Sequence, residues 1–170
     1  MRSALHAPGP PSIFIPHRSN DTSSTWATSS TVPAGERRLE EPLLRFLTRH
    51  SWIQPDTLVV HELPWHGRHV DMVIRTSVGC LTSFEFKLAA FGRVLEQAIY
   101  NRLSFDQSYV VVAAVPRPYN LALSEQHHVG VILVSESKTT CLLQSPARRA
   151  DATLRDRLEA KVLAAGEANV

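Results

Sequence analysis

The chain has 170 residues, 44% of them hydrophobic and 20% charged, with a formal net charge of +2 at pH 7. This length and balance suit one domain with an apolar core of its own, and exclude both a disordered chain and a binder working through bulk positive charge. No apolar run approaches the roughly 18 residues of a membrane span, and the start lacks the basic-then-apolar pattern of a secretory leader. A soluble, cytoplasmic protein is expected.

Residues 1–32 are rich in Ser, Thr and Pro and read as a flexible N-terminal arm, which leaves 33–170 as a single domain. From about Ala34 to His50, Leu39, Leu43, Phe46 and Leu47 recur at helical spacing, and Pro42 predicts a kink or a break. Glu36 and Glu40 share a face of that helix. Two strand-like runs follow, Leu58–Leu63 and His69–Arg75, with a turn expected at Pro64 and Gly67. His61, His66 and His69 match no zinc spacing and read as separate histidines. Cys80 and Cys141 sit in apolar strand-like settings and read as buried free thiols.

A second turn, Thr76-Ser77-Val78-Gly79-Cys80, leads into the strand around Glu85-Phe86-Lys87. Phe91 to about Ser104 predicts a helix with Val94, Leu95, Ala98, Ile99 and Leu103 on its apolar face. Arg93, Gln97 and Tyr100 or Asn101 form a separate polar stripe. The unbroken apolar run Tyr109–Val115 suggests a central strand in parallel pairing, so that strand, helix and strand make a right-handed βαβ unit. Strands over Val129–Val134 and Thr140–Leu143 and a helix over Asp151–Ala165, with Leu154, Leu158 and Val162 inward, complete the chain.

The chemistry gathers around residue 85. Side chains alternate along a strand, so Glu85 and Lys87 point one way while Phe84, Phe86 and Leu88 point the other. If the preceding strand pairs with this one, Asp71 comes beside Glu85, with Lys87 adjacent. Two carboxylates with one lysine are electrostatically unfavourable unless a cation joins them. Mg²⁺, or Mn²⁺, takes hard oxygen ligands, which Asp71, Glu85 and the carbonyl of Phe86 would supply. Lys87 would orient a water or stabilise phosphate charge. The competing explanation is an ordinary cross-strand ion pair, since such pairs are common on sheets and a bare Glu-x-Lys is close to noise.

Val70-Asp71, then Glu85-Phe86-Lys87, then a helix carrying Gln97 and Tyr100, then the strand from Tyr109 resembles the PD-(D/E)xK, or restriction-endonuclease-like, superfamily. The resemblance spans roughly residues 35–115. It implies an α/β fold with an αβββαβ core, a mixed central sheet flanked by helices, and extra C-terminal strands and a helix. It also implies that a first-helix acid completes the metal site, Glu36 with Glu40 as alternate, and that Gln97 assists. Val70 replaces the family's proline, and Gln97 to Tyr100 is one residue shorter than in RecB-like members.

The expected activity is metal-dependent hydrolysis of nucleic acid by a DNA endonuclease serving defence, mobile-element or repair biology. Arg68, Arg93 and Tyr100 are candidate contacts to the nucleic acid, and a homodimer would suit cleavage of both strands. A non-catalytic nucleic-acid-binding or regulatory protein on the same fold is the first alternative, and a nuclease toxin domain the second. Retention of Asp71, Glu85 and Lys87 together speaks against the former.

Overall fold

The computed structural model describes residues 35–148 and 150–167, apart from the side chain of Arg37. The arm expected over residues 1–32 lies outside the described residues. Ten elements follow in order: α1 (Arg37–Arg49), β1 (Leu58–Trp65), β2 (Arg68–Arg75), β3 (Leu81–Lys87), α2 (Phe91–Asn101), β4 (Gln107–Val112), α3 (Pro118–Gln126), β5 (Gly130–Val134), β6 (Thr139–Leu143) and α4 (Ala152–Glu167). The six strands make one sheet in the order β1-β2-β3-β4-β5-β6. The first three are antiparallel, β3, β4 and β5 run parallel, and β6 returns antiparallel. The αβββαβ order is therefore present, followed by α3, β5, β6 and α4.

Helices cover both faces of the sheet. On one, Leu39, Leu43 and Leu47 of α1 pack on Met72, Ile74, Phe84, Phe86, Tyr109 and Val111. Their 3.6-residue spacing is the reason for the helix, and Pro42 sits inside it without ending it. On the other face, Val94, Leu95 and Ala98 of α2 meet Val110, Val112 and Val131, while Leu158 and Val162 of α4 meet Val60, Val73 and Leu81. The strand β4 is covered on both faces and so carries apolar residues at consecutive positions.

Several local expectations are corrected. The β1–β2 turn uses His66 and Gly67, with φ of 48° and 75°, whereas Pro64 lies in β1 opposite His69. Paired positive φ values characterise the tightest hairpin turns, whose twist matches that of the strands. Leu103 lies beyond the end of α2 and is exposed, while Phe105 takes the buried place. One element was not expected: beyond β4, Pro116-Arg117-Pro118 leads into a helix, α3, with Pro118 at its first turn. Cys80 and Cys141 are free but only half-buried.

At the end of the sheet away from Lys87, polar contacts join β3 to β4. Ser83 and Ser108 hydroxyls meet at 3.0 Å, and the amide of Leu81 donates to Asp106 at 2.8 Å. Tyr109 stacks on Phe84 with ring centroids 5.6 Å apart, and its hydroxyl reaches Gln144 at 3.0 Å. Gly130, paired with Tyr109, lies directly under that ring. A Cβ there would overlap the ring and come within 2.9 Å of the Ser145 amide nitrogen. Gly130→Ala should therefore destabilise the protein by about 1–3 kcal/mol, read as a lower denaturation midpoint in urea at constant slope.

Candidate functional site

The strands β2 and β3 pair from Arg75↔Leu81 as far as Met72↔Phe84. One step further, Asp71 comes level with Glu85, and there the ladder opens. The carboxylate of Asp71 takes the place of a backbone acceptor, receiving the amide of Phe86 at 2.7 Å. The opening holds the cluster. Glu85 is 2% exposed, and its Oε1 accepts from Nδ2 of Asn101 at 2.6 Å. Its Oε2 is buried and receives no donor from the surrounding groups, and the carboxyl lies against that of Asp71, close enough to share a proton with it. Lys87, at the strand's end, pairs with Glu36 at 2.8 Å.

These contacts draw on both faces of the sheet. Asn101 comes from the last residue of α2, while Glu36 sits at the N-cap of α1 on the opposite side and is almost fully buried. Glu85 and Lys87, expected to act together on one side, are thus met by different helices. Glu40, one turn along α1, pairs instead with Nδ1 of His61 at 3.4 Å. The helix acid beside Lys87 is Glu36.

Burial governs the electrostatics. Loss of water, then the neighbouring Asp71 carboxylate, push Glu85 up to about 8 against the hydrogen bond from Asn101 and the charge of Arg68. Asp71 is pushed up to about 6, again mainly by burial, opposed by the Phe86 amide and raised by the charges of Glu62 and Glu36. The pair therefore keeps a proton around neutral pH that two exposed carboxylates would have lost.

Arg68 and Tyr100 are also brought together. The guanidinium lies 4.1 Å from the centre of the Tyr100 ring, and its charge reaches Glu85. His66 meets the same ring edge-on at 6.4 Å. Gln97 is half-buried one turn before Asn101, and Arg93 is exposed; neither enters the hydrogen bonds and ion pairs of the cluster. Phe86 buries its ring in the α1-side core while its amide serves Asp71. A shallow cavity of about 180 Å³ opens beside Lys87, lined also by Phe91, Arg117 and Asn120.

Two residues of the cluster stand outside the expected site. Asn101 belongs to the polar stripe of α2, where its spacing of four from Gln97 is the available signal. Glu62 lies level with Asp71 on β1, and nothing in its local pattern marks it. Among the described residues, no three His, Cys, Asp or Glu side chains form a ready-made cage for one ion. The carboxylates of Asp71 and Glu85 are hard ligands that would fit Mg²⁺, which commonly takes only one or two protein carboxylates and keeps its waters.

No family model matches the chain, and no curated protein does. A protein of unknown function from Silicibacter pomeroyi is similar in structure, with a TM-score of 0.58 at 18% identity over 78% of this chain and 86% of that one. That likeness concerns the fold alone. EndoMS in complex with double-stranded DNA gives a TM-score of 0.39 at 14% identity, over 77% of this chain and 51% of that one. Pyrococcus furiosus SfsA in complex with Ca²⁺ gives 0.31 at 11%, over 68% and 63%. Neither similarity is close enough to carry an argument.

The raised Glu85 carboxyl has a consequence for stability. Below its ordinary value of 4.5 it is protonated whether folded or unfolded, and has no effect. Between that value and about 8 the unfolded chain releases a proton that the folded chain keeps, so stability falls as pH rises, levelling above 8. Glu85→Gln keeps an acceptor for Asn101 and has no proton to lose. In metal-free buffer its melting temperature should exceed that of the unmodified protein by a margin growing from pH 5 to pH 8, to several degrees. A margin independent of pH would contradict this account.

Proposed function

We propose that this protein is a divalent-metal-dependent nuclease, hydrolysing phosphodiester bonds of nucleic acid as a DNA endonuclease. The supporting observation is the opening between β2 and β3, where the buried carboxyls of Asp71 and Glu85 lie together, with Lys87 at the rim. An ordinary cross-strand ion pair would set a carboxylate against a cation, whereas here two buried carboxyls face each other.

In this reading Asp71 and Glu85 hold Mg²⁺ or Mn²⁺, with the carbonyl of Phe86 as a further donor. The bound ion would activate water and neutralise charge on the phosphate. Asn101 fixes the orientation of Glu85, and the amide of Phe86 fixes that of Asp71. Lys87 orients the attacking water or meets the phosphate, and Glu36 holds its ammonium in position. Arg68 and Tyr100 offer a cation and an aromatic face to the nucleic acid. Gln97 and Arg93 serve as more distant contacts along α2. Cleavage of both strands of a duplex would draw on two copies of the chain.

Purified protein with Mg²⁺ or Mn²⁺ should nick supercoiled plasmid, and chelation should stop it. Asp71→Ala and Lys87→Ala should each lower the rate by about 10²–10³-fold with an unchanged circular-dichroism spectrum. Binding of DNA without cleavage, at every metal concentration tried, would replace this reading with that of a non-catalytic nucleic-acid-binding protein.

A further inference from the structure

The shallow cavity of about 180 Å³ beside Lys87 lies at the carboxyl ends of β3 and β4, where α2 and α3 begin. Crevices at this end of parallel strands are where open α/β sheets take their ligands. Leu88, Phe91 and Val115 give the lining its apolar character. Residues 89, 90 and 114 are all alanines, and their small side chains leave the space. Leu88 and Val115 are large and apolar yet 38% and 69% exposed, so the wall is open to an apolar partner.

The polar groups are equally selective. Lys87, Arg117 and Asn120 line the cavity, and no carboxylate does. Arg117 is exposed and enters no ion pair among the described residues. The side-chain amide of Asn120 makes no hydrogen bond among them; only its backbone carbonyl is engaged, by Ser124. Neither α2 nor α3 has a side-chain cap or an acid in its first turn, so nothing there cancels the positive ends of the two helices.

A ligand matching this lining has a flat apolar body, an edge that offers an amide both a donor and an acceptor, and a negative charge alongside. A metal ion has no place without a carboxylate, and an apolar peptide would leave Asn120 and Arg117 unmet. A nucleotide has all three features. The volume is below the roughly 300–1,000 Å³ of pockets for whole small molecules, and suits a single ring system. Lys87 belongs both to this cavity and to the acidic cluster, so the two are continuous.

We infer that the cavity receives one unstacked base of the nucleic-acid strand held at the Asp71–Glu85 opening, with Asn120 meeting the edge of the base and Arg117 the adjoining phosphate. This rests on the nuclease reading of the neighbouring site and narrows its substrate to strands whose bases can leave the stack. Single strands, ends and mismatched positions release a base at least cost.

The test is an amide chemical-shift titration of the full isotope-labelled chain in metal-free buffer, where nothing is cleaved. The probes are a single-stranded tetranucleotide, the same sugar–phosphate strand without bases, and a free deoxynucleoside monophosphate. The tetranucleotide should shift the amides of Ala89 and Asn120 and bind about tenfold tighter than the strand without bases. Ala114→Leu, which fills the cavity from an exposed position, and Asn120→Ala should each remove that preference while the remaining amides keep their positions. Equal binding of the two strands by the unmodified protein, or shifts that spare the cavity, would overturn the inference. Tighter binding of the free nucleotide than of the tetranucleotide would overturn its link to a strand. Plasmid nicking with Mg²⁺, read in parallel, separates the two readings. Nicking without a base preference removes the base subsite alone, whereas a base preference without nicking removes the nuclease reading and leaves the subsite standing.

Discussion

The hydrogen bond from the Phe86 amide to the Asp71 carboxylate is the contact on which the rest of the site depends. A sheet satisfies its amides by pairing strands, and an unsatisfied buried amide is costly. Here one amide is satisfied by a side chain, so β2 and β3 can part without leaving a donor stranded. The parting makes room for Glu85, for the approach of Asn101 from one face and for the approach of Glu36 from the other. At the opposite end of β3, Asp106, Ser83 and Ser108 fasten that strand to its other neighbour, β4. The sheet is thus fastened at one end and opened at the other, and a polar cluster can exist in an otherwise apolar core.

That cluster works against the stability of the fold. Four acids, Glu36, Glu62, Asp71 and Glu85, act on one another there, with Lys87 and Arg68 as the opposing charges. Burial of a carboxylate is unfavourable, and burial of two side by side more so. The protein responds by retaining a proton and by surrounding the pair with donors. A domain selected for stability alone would place apolar side chains at these positions. In the metal-dependent reading proposed above, a bound cation would complete the charge of this site.

Much of the architecture was readable in the residues. Leu39, Leu43 and Leu47 at helical spacing fixed α1 and its buried face, and the unbroken apolar run from Tyr109 marked β4 as a strand covered on both sides. The β2–β3 hairpin, the parallel β3–β4 pairing and the approach of Asp71 to Glu85 followed from periodicity, from the unbroken apolar run and from the turn residues between the strands. What escaped depends on tertiary context. The helix α3 carries no clean apolar stripe, and its prolines read equally well as a strand's end or a helix's start. Gln97 and Asn101 share a face of α2, and spacing alone does not say which of them the turn of the helix brings to Glu85. The left-handed backbone of Glu62 has no local sign at all, since glutamate rarely adopts it.

The tight His66–Gly67 turn has a consequence for how this stretch can vary over time. Because the strands on either side are joined by the shortest of connections, the count of residues from Glu62 to Asp71 is what aligns them. An inserted or deleted residue within that interval would slide one strand past the other and exchange its inward for its outward side chains. Substitution is open to much of this segment, but change of length is not, and lineages descended from this chain should conserve its spacing more strictly than its letters.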